Sequence, residues 1–519
     1  MHECGCMRFT LDARFVFSRS MEDARGRLGE LLEGANADLL LRGVSRDVED
    51  REGQGAQVVS WDIEDSTILL HIVSGPIVRA HDAVLRLRKY LGQELGKDLK
   101  AGIRQVVIDS YSATFELPSE PKVPLKIPFA SELRVEGRVC TLVLRDVSDE
   151  IIEGNAIDRM IRRLISKAQA QDYQGKTEFW ELMESHGQGK AIWDREPTDE
   201  MVERGWLKQG PTKGKWFFRP QAAAIMRAMQ ELAVDELLGP LGFHEIMESH
   251  IVPFDVWMKT GHMEGVPNEI YYVSEPRTRD QNEWEEFIDH VDIMRRVPSD
   301  MFPKLLSPPA AGVCYAQCPL IYWSLQGETI ADASLPILVY DRTANSMRYE
   351  SGGRHGIERV DEFHRLEPVY IGRPEQLTVL RERMLDRYRH IFNNILELEW
   401  RMAWVTPFYM QQSGQVMSDE DKAQRSKGTI DFEAYMPYRG PREEAEWLEF
   451  QNLSIMGDKY TSAFNIKAQK GGELWSGCSG IGIERWTAAF LAQKGLDPEG
   501  WPEAFRKCVG DLPGEMRLL

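Results

Sequence analysis

The sequence predicts an α+β fold in which a mostly antiparallel sheet is flanked by helices. Several stretches alternate apolar and polar residues with the period of two that is typical of strands, whereas others repeat apolar residues at helical spacing. Two further strand-like runs enclose a polar loop, as they would in an antiparallel hairpin. Apolar residues make up 42% of the 519 positions, which excludes a disordered chain.

Residues 1–170 are predicted to form a separate module of mixed α/β structure. Strands are expected at 58–61, 67–73, 105–115 and 140–144, and helices at 76–97 and 156–171. The hydrophilic stretch 171–214, rich in Gly, Lys and Glu, is expected to be a linker.

A larger second domain is predicted over residues 215–519. Its first helix is expected at 221–238, because Ile225, Met229 and Leu232 recur on one face. Gly239 and Pro240 are expected to end this helix. Residues 264–304 are acidic with a helical pattern, and we expect an insertion that packs on the core. Its apolar stripe consists of Trp284, Phe287, Ile288, Val291 and Met294.

Charge and cysteine content limit the partners and the location of the protein. The chain has 63 basic and 82 acidic residues, a net charge of −19, which excludes a nucleic-acid binder that depends on bulk positive charge. Any RNA contact must use local basic surfaces, such as 79–104 and 159–176. Neither an apolar run of about 18 residues nor a signal peptide occurs, so we expect a cytoplasmic protein without a membrane partner. The seven cysteines are irregularly spaced, which indicates free thiols or a few metal ligands.

The two strand-like runs of the hairpin carry charged side chains. Residues two apart in a strand share a face, which groups Arg348 with Glu350, and Phe363 with Arg365 and Glu367. Burying these charges without partners would cost several kcal/mol each. Mutual salt bridges on an exposed face are one interpretation. A site for an anionic, aromatic ligand such as a nucleotide is the other.

Three motifs in order carry a resemblance to class II aminoacyl-tRNA synthetases. Arg348-Tyr349-Glu350, a loop and Arg359-Val360-Asp361-Glu362-Phe363 resemble motif 2 of that class. Gly242-Phe243 with Pro253 resembles motif 1, the dimer interface, and Gly480-Ile481-Gly482-Ile483-Glu484-Arg485 resembles motif 3. Each motif alone is weak, but three in order are hard to produce by chance. The resemblance implies a class II antiparallel sheet flanked by helices and a homodimer formed through motif 1.

Within that class the chain most resembles the seryl-tRNA synthetases of the rare methanogen-type (type-2, archaeal) subgroup. The motif 2 loop and Trp475-Ser476-Gly477-Cys478 carry this likeness. The N-terminal α/β module fits the subgroup, because ordinary seryl enzymes have a coiled coil there. The resemblance implies that serine is activated with ATP and transferred to tRNA(Ser), and also to tRNA(Sec). It implies no DNA partner.

The resemblance also assigns an ATP site. Arg348 would hold the α-phosphate and Arg359 the γ-phosphate, since guanidinium groups bind phosphate through two parallel hydrogen bonds. Phe363 and Arg485 would sandwich the adenine, because an aromatic ring and a flat cation both stack on a purine. Glu350 would contact both ATP and serine. Arg348, Glu350 and Arg485 form the implied catalytic set.

Magnesium and serine are assigned to further residues by the same resemblance. Glu449 would hold Mg²⁺, with Asn452 as a second ligand or water partner that also borders serine, because magnesium prefers oxygen ligands. Arg365 would bind the serine carboxylate. Gln412 would bind the serine hydroxyl, and Gln411 is an equally good choice on chemistry. A hydroxyl partner discriminates against glycine and alanine, which would leave it unpaired.

Zinc is the most unusual implication of the resemblance. In this subgroup Cys, Glu and Cys hold Zn²⁺ and leave one position for the serine amino group, and the matching residues are Cys318, Glu367 and Cys478. Three protein ligands with an open fourth position are typical of a working zinc site. The ligands are far apart in sequence, and Cys314 remains an alternative first ligand.

Contacts with tRNA are expected on the N-terminal module, at Arg86, Arg88, Lys89, Arg162 and Arg163. Such charge runs are more often solvated helix faces. Alternative functions are a class II ligase for another small amino acid or a carrier protein, and a non-catalytic tRNA-binding relative. The N-terminal module disfavours the carrier-protein ligase. All the expected phosphate and magnesium residues are present, which favours an active enzyme.

Overall fold

The computed structural model describes residues 7–48, 50–172, 180–343, 345–350, 353–405 and 425–514. The chain divides into two units, Met1–Thr177 and Glu178–Leu519. Within the ranges just given, no helix combines the length and the apolar surface that a membrane crossing requires.

The first unit is built on a six-stranded antiparallel sheet with the strand order β2-β3-β1-β4-β6-β5. Its strands are β1 (Arg8–Phe17), β2 (Ala56–Glu64), β3 (Thr67–Ser74), β4 (Ile103–Glu116), β5 (Glu132–Glu136) and β6 (Val139–Val147). Its helices are α1 (Arg25–Ala37), α2 (Arg51–Gln54), α3 (Ala80–Leu99), α4 (Asp149–Glu153) and α5 (Ala156–Asp172).

One core holds the first unit together. Alternate residues of β1, among them Phe9 and Phe15, are fully buried, because successive side chains of a strand point to opposite faces. Leu87 and Leu91 of α3 are buried four residues apart on one helix face and belong to the same core. The predicted N-terminal strands and helices are confirmed here, and β1 and α1 add to them.

The second unit contains a ten-stranded sheet, whose main path is β10-β15-β17-β22-β20-β19-β18-β7, with β16 and β23 attached. Its strands are β7 (Trp180–His186), β8 (Leu207–Gln209), β9 (Trp216–Phe218), β10 (His244–Glu245), β11 (Ile251–Pro253), β12 (Tyr272–Val273), β13 (Ala311–Val313), β14 (Thr329–Ile330), β15 (Ile337–Asp341), β16 (Asn345–Met347), β17 (Glu362–Gly372), β18 (Trp400–Val405), β19 (Gly428–Ala434), β20 (Leu448–Gly457), β21 (Lys467–Ala468), β22 (Trp475–Cys478) and β23 (Ile481–Gly482). Apart from the parallel β10–β15 pair, the strands of this sheet pair antiparallel.

Helices and two cores complete the second unit. The helices are α6 (Pro197–Glu203), α7 (Pro220–Ala233), α8 (Gly239–Leu241), α9 (Phe254–Thr260), α10 (His262–Gly265), α11 (Gln281–Met294), α12 (Cys318–Ser324), α13 (Pro374–His390), α14 (Lys459–Ala463), α15 (Ile483–Lys494) and α16 (Glu503–Val509). One core is formed with α7, α13 and α15, and the other with α9 and α12. Sheets and helices in this arrangement confirm the predicted α+β class.

The predicted linker is wrong over much of its length. Within 171–214, β7 pairs with β18 at the edge of the large sheet, and α6 and β8 follow. The stretch is hydrophilic because β7 is an edge strand whose side chains are exposed or half-buried.

Two expectations for helices also need correction. Gly239 and Pro240 do not end the first helix of the second domain, because a π-helical turn over Val234–Leu238 leads into α8. Gly242, with a φ of 83°, ends the helix instead. The insertion helix α11 has no buried residue and therefore does not pack on the core. Its Phe287 ring contacts Phe302 locally, with ring centroids 5.5 Å apart.

Candidate active site

The predicted hairpin lies within the large sheet. β15 and β16 both pair with β17 in antiparallel orientation, and Asp341 lies opposite Glu367. Arg348 continues the pairing beyond β16, since its backbone N–H donates to the carbonyl of Asp361 at 2.8 Å. The expected charged side chains are therefore brought together on one hairpin.

Arg348, the residue expected to bind the α-phosphate, is held between two carboxylates. Its Nε lies 2.9 Å from Oε2 of Glu269 and 3.3 Å from Oε1 of Glu350. The guanidinium lies over the ring of Tyr315, 5.7 Å from its centroid, and the Tyr315 hydroxyl donates to Glu269 at 3.2 Å. Glu269 is a residue that the motifs do not reveal, because it lies outside all three of them.

Asp361 fixes the motif 2 loop. Its buried carboxylate accepts hydrogen bonds from the backbone N–H of Glu350 at 3.1 Å, from Nε of Arg354 at 2.8 Å and from the hydroxyl of Tyr271 at 2.5 Å. One side chain thus joins both halves of the loop. Arg359, the expected γ-phosphate residue, is exposed and lies 3.9 Å from Glu446. It is accessible to a ligand.

Phe363 and Arg485, expected to sandwich the adenine, lie on neighbouring elements. β17 pairs with β23 through Arg365 opposite Gly482, and α15 begins at the next residue. Phe363, two residues before Arg365, therefore lies beside the first turn of α15, which carries Arg485. Nη1 of Arg485 donates to the carbonyl of Glu449 at 2.8 Å.

The expected magnesium residues lie together on β20. The register between β19 and β20 shifts by one residue between Phe432 and Glu433, a β-bulge that leaves both Glu449 and Asn452 accessible while the two residues between them are buried. Glu449 Oε2 lies 3.5 Å from Nη1 of Arg485. Asn452 Oδ1 accepts a hydrogen bond from the backbone N–H of Gly480 at 2.9 Å.

Arg365, expected to bind the serine carboxylate, is mostly buried. Its Nη2 donates to Oε1 of Glu367 at 3.0 Å, whereas its buried Nε has no hydrogen-bond partner among the described residues. A Cβ at position 480 would come within 2.4 Å of Nη2, so Gly480 provides the space that the guanidinium needs. The free donor suits an anionic ligand. Gln411 and Gln412 lie outside the residues that the structure describes.

Cys318, Glu367 and Cys478 form a compact group of potential metal ligands. Their ligand atoms lie within 4.8 Å of one another, and the described part of the chain contains no other such group of Cys, His, Asp and Glu side chains. Cys318 begins α12, Glu367 lies on β17 and Cys478 ends β22. The hydrogen bond with Cys478, together with burial, raises the pKa of the Cys318 thiol well above its usual value. Two thiols and one carboxylate are a donor set that zinc accepts.

Cys314 lies apart from this group. Its Sγ is 3.9 Å from Oε1 of Glu248. Burial raises the pKa of Glu248 to about 9, and the nearby charges of Asp341 and Glu367 add to this effect. The position of Cys314 favours Cys318 as the first ligand.

The basic residues of the first unit differ in their contacts. Arg86 is half-buried, and its Nη1 donates to the carbonyls of Leu39 at 3.1 Å and Arg42 at 2.9 Å. Arg88 is exposed and lies 3.3 Å from Glu153. Lys89, Arg162 and Arg163 are also exposed. Arg86 therefore supports the fold, whereas the other four are accessible to a partner.

Comparisons with known proteins agree with the motifs. A family model described as a tRNA-binding domain matches residues 7–166. The type-2 serine–tRNA ligase of Methanococcoides burtonii is 45% identical over 99% of this chain and 100% of its own length. That of Methanothrix thermoacetophila is 43% identical, again over 99% of this chain and 100% of its own length. A crystal structure of the M. kandleri seryl-tRNA synthetase in complex with A. aeolicus tRNASec superimposes with a TM-score of 0.83, at 27% identity and 99% coverage of both chains.

These full-length similarities confirm the resemblance that the three motifs predict. They extend over both units, so they rest on more than the short motifs. The chain therefore belongs to the type-2 serine–tRNA ligases and is an aminoacyl-tRNA synthetase.

Proposed function

We propose that this ligase activates serine with ATP on the hairpin face of the second unit, and that Cys318, Glu367 and Cys478 hold a zinc ion that binds the serine amino group. The observation that carries the proposal is the position of these three residues beside Arg365, with their ligand atoms within 4.8 Å of one another. Zinc bound there would supply a Lewis-acidic position for a neutral amine.

Serine would be oriented at both ends of its backbone. The unpaired Nε of Arg365 is placed to bind the carboxylate, because a buried donor without a partner gains most from an anionic acceptor. The amino group would lie at the metal ligands, to which Arg365 is joined through Glu367. Glu350 and Asn452 would border the same site, and Gln412 or Gln411 would bind the hydroxyl.

ATP would occupy the motif 2 and motif 3 residues. Arg348, already aligned by Glu269 and Glu350, would bind the α-phosphate, and the accessible Arg359 the γ-phosphate. Phe363 and Arg485 would stack on the adenine. Glu449 and Asn452 would hold Mg²⁺, since the bulge in β20 leaves a carboxylate and an amide accessible side by side.

The chemistry follows from this arrangement as two displacements. A serine carboxylate oxygen attacks the α-phosphorus, and the bond to pyrophosphate breaks. A ribose hydroxyl of the terminal adenosine of tRNA then attacks the carbonyl carbon, and AMP leaves. No side chain becomes covalently bound, so the rate comes from positioning and from cations near the developing charge.

The tRNA would be tRNA(Ser), and also tRNA(Sec). The tRNA-binding family model covers the first unit, and the similar M. kandleri enzyme is a complex with a tRNASec. Exposed Arg88, Lys89, Arg162 and Arg163 would contact its phosphates. A homodimer through motif 1, around Gly242, Phe243 and Pro253, completes the proposal.

Exchange of labelled pyrophosphate into ATP tests the proposal. The assay is run with each of the twenty amino acids, with and without a zinc chelator, on enzyme whose zinc content is measured. We expect exchange with serine alone, one zinc per chain, and loss of exchange after chelation that added zinc restores. Exchange with a different amino acid would contradict the proposed substrate, and chelator-resistant exchange would contradict the role of zinc.

A further inference from the structure

We infer that Gln317 is a positioning residue that holds two of the proposed zinc ligands, Cys318 and Glu367, in place. The inference rests on the proposed function, because it concerns how the zinc site is supported. Gln317 is fully buried and directly precedes Cys318 at the start of α12. Its backbone N–H donates to Oε2 of Glu367 at 2.7 Å. One residue therefore connects both ligands, through the chain on one side and through a hydrogen bond on the other.

The side chain of Gln317 is anchored to the sheet below the site. Its Nε2 lies 3.2 Å from both Oδ2 of Asp341 and the carbonyl oxygen of Arg365. Asp341 is fully buried, and it is fixed in turn by Thr343, whose hydroxyl donates to Oδ1 at 2.6 Å. Movement of Gln317 would break these bonds in a buried environment, which makes its position well defined.

Charge gives the arrangement a physical reason. Asp341 lies directly opposite Glu367 on adjacent strands, and both carboxylates are fully buried. Two buried carboxylates so placed repel each other and need donors. Gln317 supplies an N–H to each of them, the main-chain N–H to Glu367 and the side-chain amide to Asp341. A neutral residue thus stabilises both charges without adding a cation that would compete with the metal.

Orientation of Glu367 is the consequence for metal binding. Arg365 binds Oε1 of this carboxylate at 3.0 Å and Gln317 binds Oε2, so the rotation of the carboxylate is restricted from both sides. Outer-sphere partners of this kind set ligand geometry, and their loss typically weakens metal binding roughly 10–100-fold. Gln317 lies outside all three class II motifs.

Zinc affinity of the purified full chain tests the inference, measured by competition with a chromophoric chelator. Gln317→Met keeps the volume of the side chain and removes its amide. We expect zinc binding roughly 10–100-fold weaker than in the wild type. Gln317→Glu should lose at least as much, because a carboxylate cannot donate to Asp341. Asp341→Ala, which removes the acceptor and leaves Gln317 in place, should weaken binding roughly tenfold.

Gln493→Met is the matched control. Gln493 is also fully buried, and its amide also bridges two backbone carbonyls, those of Glu399 and Tyr435. We expect zinc affinity to stay at the wild-type value in this variant. If Gln317→Met does not fold, the Asp341→Ala result decides.

The outcomes separate the inference from the proposed function. Wild-type zinc binding together with unchanged affinity in Gln317→Met and Asp341→Ala would overturn the inference alone. A wild-type chain that binds no zinc would overturn the proposed metal site, and the role of Gln317 with it.

Discussion

At the scale of single residues, each arginine that faces the proposed substrates is aligned by a carboxylate. Arg348 lies beside Glu269 and Glu350, Arg365 beside Glu367, and Arg485 beside Glu449. Pairing restricts the rotamers of these long side chains before a substrate arrives, so less conformational entropy is lost on binding. It also keeps the cations charged in a partly buried site. Preorganised cations of this kind are what adenylate formation requires.

A pair of cysteine variants tests the first zinc ligand. Cys318→Ser should lose nearly all bound zinc and serine-dependent exchange, because a neutral hydroxyl is a much weaker zinc ligand than a thiolate. Cys314→Ser should keep both, since Cys314 lies beside Glu248 and outside the ligand group. Zinc is measured as metal per chain by atomic emission. Loss of zinc in Cys314→Ser alone would reverse the assignment.

At the scale of elements, α3 has one side in the core and an exposed side that is available to RNA. Leu87 and Leu91 are buried, whereas Arg88 and Lys89 are exposed. Arg86 connects α3 to the segment around Leu39 through two hydrogen bonds and is therefore a poor choice for testing RNA contact. The helix thus combines residues that support the fold with residues that can bind a partner.

Charge reversal on α3 tests its role with tRNA. In the variant with Arg88→Glu and Lys89→Glu, we expect tRNA binding to weaken at least tenfold and the salt dependence of binding to fall by about two phosphate contacts. Serine-dependent pyrophosphate exchange should stay unchanged. Lys507→Glu, on the exposed surface of α16, is the control and should leave both activities intact. Equal loss of exchange and charging would argue against a tRNA-specific role.

The start of α3 also carries a buried histidine that links stability to pH. His81 is 1% exposed, and its Nδ1 lies 2.8 Å from the hydroxyl of Tyr111. Burial lowers the pKa of His81 below its usual 6.5, although Asp82 and Asp158 oppose the shift. Below pH 6.5 the unfolded chain therefore binds a proton that the folded chain does not, and stability falls as the pH drops. The loss is at most about 1.4 kcal/mol per pH unit.

Urea unfolding of the full chain at pH 7.5 and pH 5.5 checks this expectation, both values being chosen around the usual histidine pKa. His81→Gln removes the titrating group and keeps a polar partner for Tyr111. We expect the unfolding free energy of the variant to fall less on acidification than that of the wild type. Identical pH dependence in the two proteins would show that His81 does not contribute.

At the scale of the whole molecule, the two units have separate cores. Phe9, Leu87 and their neighbours form the core of the first unit, whereas the proposed serine and ATP residues lie on the large sheet of the second. The proposed chemistry of activation uses residues of the second unit alone. A division of labour between recognition of tRNA and activation of serine follows.

A fragment of residues 178–519 tests this division. We expect it to catalyse serine-dependent pyrophosphate exchange within about tenfold of the full chain, because domains with their own cores commonly fold alone. Transfer of serine to tRNA should fall far more, since the matched tRNA-binding region is missing. Circular dichroism confirms that the fragment is folded. A folded fragment that charges tRNA as well as the full chain would contradict the expectation.

Local patterns in the sequence predict the hairpin and most of the elements around it. Arg348 and Glu350, two residues apart, and Phe363, Arg365 and Glu367 share faces because strand geometry is set by the backbone itself. Local signals were less reliable for β7 and for the helix that runs through Pro240, because strand pairing and a π turn override them. The motifs also identified the family, which the full-length relatives confirm.

Tertiary structure alone decides which distant residues meet. The approach of Cys318 to Glu367 and Cys478, and the exclusion of Cys314, depend on how α12, β17 and β22 pack, and no local spacing encodes that. The bulge that leaves Glu449 and Asn452 accessible together, and the role of Gln317 between two buried carboxylates, depend likewise on strand register. Sequence therefore determined the chemistry that is available and the strands that carry it. Packing determined its assembly, because distances between remote residues are set by the whole fold.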